Sequence, residues 1–280
     1  MSYRFAVIDI ETTGLSPNEG DRITEIGIAM LEGGKIVDQF ETLVNPNIPI
    51  PQLIQGMTGI TDEMVNDAPH SDIALKEAFE FIGNAPLVAH NASFERRFLN
   101  SEIQILDKDN QVSPICTVLL SRRIYLNTKS HSLENIINHL DLPKLESHRA
   151  LPDAIMTANL LARIINDIVN MSKINRELDG NDLYRLSKAP LKRFKEMSPS
   201  EALEKTLKGK SNANYIASKF NFTSPTVRLT NNQTISRHDN KKSMRDSQNN
   251  YTINIQEKSK NRAQSMQEIC TQNEEDNKYI

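Results

Sequence analysis

The stretch FAVIDIETTG, Phe5 to Gly14, constrains this chain more than any other. Phe5–Ile10 is an apolar, β-branched run of the kind that forms a buried central strand. Asp9 and Glu11 stand at its end. Residues two apart in a strand point to the same face, about 7 Å from one another along it. Two carboxylates at the end of a buried strand repel each other and are costly to desolvate unless a cation lies between them. Taken alone, the pair fits a solvated strand end running into the turn TTGL equally well.

The punctuation that follows is that of a mixed domain. Ile23–Leu31 and Lys35–Val44 are strand candidates joined by EGGK, a hairpin-type turn. NPNIPIP (Asn45–Pro51) is too rich in proline for a regular element and reads as an extended loop. Ile73–Ile82 has helical spacing, and Pro86–Ala89 is a short buried strand. Ser93–Ile103 is a helix whose apolar face includes Phe94, Phe98 and Leu99. Ile115–Val118 reads as another short strand. Leu133–Leu140 and Pro152–Ile168 are amphipathic helices, the second with proline in its first turn. Hairpin-paired strands followed by strands alternating with helices predict an α/β fold, a mixed sheet covered by helices.

Composition divides the chain further. This first domain runs over residues 1–171. Residues 172–210 carry short helices with a basic bias, an appended segment. From Ser211 the chain is dominated by Asn, Ser, Gln, Lys and Thr, which bury too little apolar surface to offset ordering entropy, so 211–280 is expected to be disordered. The net charge of −3 gives no global field toward nucleic acid or an anionic membrane, so any attraction to a polyanion must be local or carried by metal. The two cysteines, Cys116 and Cys270, match no metal or disulfide spacing. No apolar stretch approaches the ~18 residues that span a bilayer. A cytoplasmic protein without membrane contact is the expectation.

Two further clusters carry chemistry. In HRALPDA, His148 precedes a helix and Asp153 lies in its first turn. Asp153 there also suits the helix dipole whatever its function, and a loop histidine suits a general base. In VAHNASFERRFL, Glu95 occupies another first helical turn, where it too is ordinary on local grounds. Four carboxylates converging from a strand end and two helix starts would bind hard divalent cations through oxygen. Two such cations stabilise both the attacking and the leaving oxygen in phosphodiester hydrolysis.

DIETTGL, HNASFE…FL and HRALPDA, with GMTGIT (Gly56–Thr61) between them, resemble in order and spacing the motifs of the DnaQ-like, or DEDDh, 3′–5′ exonucleases. That family includes the proofreading epsilon subunit of bacterial DNA polymerase III and ribonuclease T, and the resemblance covers about residues 3–170. It implies a ribonuclease H-like fold and a 3′–5′ exonuclease releasing nucleoside 5′-monophosphates. It also implies two Mg²⁺ or Mn²⁺ ions on Asp9, Glu11 and Asp153, with His148 as general base. Thr12, Thr13, Gly14 and Leu15 would contact the 3′-terminal nucleotide, and His90 and Asn91 would line the same cleft. The family pattern has aspartate where this chain has Glu95. The extra methylene keeps the charge and adds reach, so Glu95 is expected to be a fourth metal carboxylate that tunes activity. The expected partner is nucleic acid with a 3′ end, single-stranded DNA first, and a DNA polymerase subunit through residues 172–280. An exoribonuclease, or a weakly active binding or polymerase accessory subunit, stands as the alternative.

Overall fold

The computed structural model describes residues 4–105, 111–146, 148–172, 174 and 176–208. The low-complexity stretch 211–280 lies outside them.

Five strands form one sheet in the order β3-β2-β1-β4-β5. β1 (Arg4–Thr12), β2 (Ile23–Glu32) and β3 (Lys35–Leu43) make an antiparallel meander. Gly33 and Gly34, both at positive φ, close the β2–β3 hairpin, the conformation that a tight turn of matching twist requires. β4 (Leu87–Ala89) and β5 (Ile115–Cys116) then add parallel to β1. The sheet is therefore mixed, and the carboxyl ends of β1 and β4 lie at the same edge.

Alternation sorts the residues onto two faces. Phe5, Val7, Ala29, Leu31, Val88 and Ile115 point one way and join a single core with the long helix α7 (Ala150–Met171). On the other face Phe40, register partner of Ile28, meets Phe81 of α3 (Ser71–Ile82) at 5.6 Å between ring centroids. α4 (Ser93–Ile105) buries Phe98, Leu99 and Ile103 on its apolar stripe, while Phe94 stays half-buried against Phe98.

Three helices go beyond the sequence expectation. α1 (Gln52–Thr58) and α2 (Asp62–Val65) follow the proline-rich loop. α5 (Thr117–Ile124) takes over where a strand through Val118 is expected. β5 pairs for two residues only, because β4 offers it no more backbone, and the chain turns at Thr117. α6 (Leu133–His139) then leads to α7. Beyond α7, α8 (Gly180–Lys188), α9 (Leu191–Glu196) and α10 (Pro199–Lys208) place Leu183, Leu186, Phe194, Leu203 and Leu207 in the same core as α7. Arg123 of α5 reinforces this by donating from its guanidinium to the Ala189 carbonyl at 2.8 Å. Among the described residues no helix is long and apolar enough to cross a membrane.

Candidate active site

The face of β1 that starts as core ends as acid. Phe5 and Val7 face α7, and the next two residues in the same row are Asp9 and Glu11. α7 runs over this row, so its first turn brings Asp153 to the same place. One carboxylate oxygen from each of Asp9, Glu11 and Asp153 lies within 4.8 Å of the others. Burial pushes all three carboxyls upward, Glu11 to about 8, and for Asp9 the neighbouring Glu95, Asp153, Glu11 and Glu25 charges add to it.

Glu95 is buried in the first turn of α4, which starts just beyond β4. It lies outside the tight trio, yet its charge is the strongest of those acting on Asp9. Burial pushes Glu95 itself up to about 8. Neither Glu95 Oε2 nor Asp153 Oδ1, both buried, has a hydrogen-bond partner among the described residues. Buried carboxylate oxygens without donors are rare in folded proteins. Oxygen-rich and short of donors, this set fits a hard divalent cation better than it fits any side chain present.

His148 is exposed in the loop before α7, and its backbone N–H donates to Asp153 Oδ2 at 3.2 Å. Its φ of 68° is left-handed, a conformation that costs a non-glycine residue about 1–3 kcal/mol and recurs at active sites. His148 is thus tied through its backbone to Asp153 of the acidic trio.

The turn after β1 is tightly made. Thr12 Oγ1 donates to the Gly14 carbonyl at 2.6 Å, and Thr13 Oγ1 donates to Asp21 Oδ1 while accepting from Arg22 N–H. Asp21 Oδ2 also accepts from Ser16 N–H at 2.9 Å. Gly14 sits so close to Asp21 that a Cβ would lie 2.4 Å from its carboxylate. Both threonine hydroxyls therefore shape the turn, and Leu15 is the side chain that the turn exposes. His90 is also spoken for. Its Nε2 lies 3.0 Å from the His131 carbonyl and its Nδ1 2.9 Å from Thr117 Oγ1. A carbonyl can only accept, so Nε2 carries the proton and Nδ1 accepts from threonine. Burial holds this ring neutral, down to about 4. Asn91, beside it, is exposed and left-handed at φ 61°.

Two residues that sequence reasoning passed over support the site. Asp21 holds the TTGL turn, as above. Glu25, fully buried on β2 opposite Glu11, binds Arg149 beside His148. An isolated acid within an otherwise apolar strand is the signal that could have found Glu25.

A mixed five-strand sheet with an acidic pocket at the carboxyl ends of its strands defines a nuclease of the ribonuclease H-like class. Residues 6–161 match the model of the RNase T exonuclease family, and the chain belongs to that family of DnaQ-like 3′–5′ exonucleases. It is 38% identical over 190 residues to a PolC-type DNA polymerase III of Oceanobacillus iheyensis, a match over 66% of this chain and 13% of the relative. With the Bacillus subtilis PolC-type enzyme it shares 35% over 191 residues, again 66% of this chain and 13% of the relative. The matched region is thus a small fraction of those polymerases. A solved 3′-exonuclease, in a structure of histone mRNA stem-loop recognition, superposes with a TM-score of 0.54 at 21% identity, over 60% of this chain and 84% of that one. Escherichia coli exonuclease I in complex with a dT13 oligonucleotide gives 0.51 at 13% identity, over 60% and 42%. These two likenesses concern the fold.

Proposed function

We propose that the chain removes nucleotides one at a time from the 3′ end of DNA, as a proofreading or repair nuclease. Asp9, Glu11 and Asp153 would hold two divalent cations, Mg²⁺ or Mn²⁺, with Glu95 as a fourth carboxylate. The observation that carries this reading is the convergence of those three acids within 4.8 Å, with the His148 backbone bonded to Asp153. When bound, divalent cations supply Lewis-acid polarisation of the phosphodiester and offset the charge that builds on its oxygens. The work of the chain's own residues is positional and protonic. A ring nitrogen of His148 accepts the proton of the attacking water as its oxygen bonds to phosphorus. The bond from phosphorus to the 3′-oxygen of the preceding nucleotide breaks, that oxygen takes up a proton, and a nucleoside 5′-monophosphate leaves. Leu15 and the backbone of the Thr12–Gly14 turn would meet the terminal nucleotide, and Asn91 would line the cleft.

The PolC-type relatives favour DNA and a replicative setting. Docking on a polymerase subunit through residues 172–280 belongs to the same proposal. The test is a 5′-labelled single-stranded DNA oligonucleotide incubated with Mg²⁺, Mn²⁺ or chelator, beside the RNA of the same sequence. A ladder shortening from the 3′ end of DNA, requiring metal and lost in Asp9→Ala, is expected. Cleavage of RNA alone would move the reading to an exoribonuclease, and no cleavage of either would overturn it. Glu95→Asp refines the outcome. Because shifting a supporting ligand changes rate or metal affinity by ~10–100-fold, a faster Glu95→Asp would mark Glu95 as a tuning ligand.

A further inference from the structure

Glu25 is a fully buried carboxylate that the chemistry above does not use. It lies on β2 directly across from Glu11, on the face that carries the acidic pocket. Both of its oxygens are occupied. Arg149 Nε donates to Oε1 at 3.0 Å and to Oε2 at 3.1 Å, Nη2 donates again to Oε1, and the Ala150 N–H donates to Oε2 at 2.8 Å. From β3, Glu41 holds the outer side of the guanidinium at 3.5 Å.

These bonds replace a missing local device. The residue at the N-cap of α7 is Arg149, which has no side-chain oxygen and makes no capping bond to its own helix. The first N–H of α7 is instead satisfied by a carboxylate from the sheet, whose charge also suits a helix N-terminus. Gly27, two residues along the same face of β2, allows the seat to be this close, since a Cβ there would lie 2.2 Å from Leu151 N. The junction so fixed is flanked by functional groups. His148 precedes Arg149, and Asp153 donates its N–H to the Arg149 carbonyl at 3.1 Å and accepts from His148 N–H.

We propose that Glu25 and Arg149 form a latch that sets the position of His148 and Asp153 over the end of β1, and so are positioning residues for the nuclease reaction. This rests on the function proposed above for His148 and Asp153. The latch predicts a defect in turnover rather than in substrate binding, because Glu25 and Arg149 act through the placement of His148 and Asp153.

Arg149→Lys keeps the charge but loses the planar fork, and Glu25→Gln keeps the shape but loses the charge. Each, and the double variant, would be compared with wild type for kcat and KM on single-stranded DNA. Thermal midpoint and amide exchange over residues 148–153 would be read without metal. The expectation is a kcat lower by ~10–100-fold with KM little changed, faster exchange at the junction, and a double variant close to the worse single. An unchanged kcat in Arg149→Lys and Glu25→Gln, unchanged exchange, or a kcat loss that follows the thermal midpoint in every variant would overturn the latch. If wild type cleaves neither DNA nor RNA, the proposed function fails by itself. Exchange at the junction then decides the latch: faster in the variants sustains it as geometry, unchanged removes it.

Discussion

The two halves of the sheet face beneath α7 are made from the same strands and covered by the same helix, yet they are built on opposite terms. Toward one end Val7, Ala29 and Leu31 share one core with Leu160, Leu161 and Ile164, with almost no exposure. Toward the other, Asp9, Glu11 and Asp153 crowd together with pKa values raised by burial. Burying apolar surface contributes roughly 25 cal/mol per Å², whereas partly desolvated carboxylates in a group cost free energy. The apolar half holds α7 down, and the rigid helix carries that constraint to its charged first turn. The difference teaches that the pocket is stable because of its neighbour, and that activity and stability separate along one helix.

Breaking each half should therefore give opposite signatures. The largest effect is expected from Asp9→Asn. Deleting one preorganised electrostatic group costs roughly 10²–10³-fold in other enzymes, so kcat should fall by about that much while the thermal midpoint holds or rises, as one repelling charge is gone. Activity gels with calorimetry on the same preparation check both. Leu161→Ala tests the other half. Removing a fully buried leucine side chain typically costs about 2–5 kcal/mol, so urea unfolding should show that loss while kcat, measured well below the melting transition, stays near wild type.

Gly27→Ala strikes the boundary between the halves. Its new Cβ meets α7 backbone, which cannot yield as a flexible side chain can. A shift near 1 Å at a catalytic group can cost ~100-fold, so kcat should drop about that much, with a stability loss of about 1–3 kcal/mol from overpacking. The gentlest probe is pH. Glu11 and Glu95, ordinarily near 4.5, are pushed up to about 8. Between those values the native state binds more protons than the unfolded chain, so stability must fall as pH rises. Chelated protein should melt lower at pH 8.5 than at pH 5, and Mn²⁺ at about 100 times its Kd should restore about 2.7 kcal/mol at the higher pH. A flat melting profile would mean that the carboxyls are not strained as described.

Legibility in the sequence followed how local each cause is. β1, β2 and β3 are read from β-branched runs and the Gly33–Gly34 turn, because each depends on neighbours in the chain. α5 is misread because Ile115–Val118 suits a strand, and only the short reach of β4 ends the pairing at Cys116. The meeting of Asp9, Glu11 and Asp153 follows from motif resemblance, and the structure adds the shared face and the covering helix. His90 shows the reverse case. Its place in the motif suggests a cleft residue, but Thr117 and the His131 carbonyl, remote in sequence, claim both ring nitrogens. Glu25 gives no local hint of Arg149, which arrives from the far end of the domain.

The helices after α7 carry one more implication. The family match ends at Leu161, but the core continues to Leu207 through Leu183, Leu186, Phe194 and Leu203. The segment that the family model covers is thus shorter than the core that packs on α7. A recombinant fragment trimmed to the former would bare a broad apolar face on α7 and α5 and should come out of cells as aggregate, whereas one carried through Lys208 should stay in the supernatant.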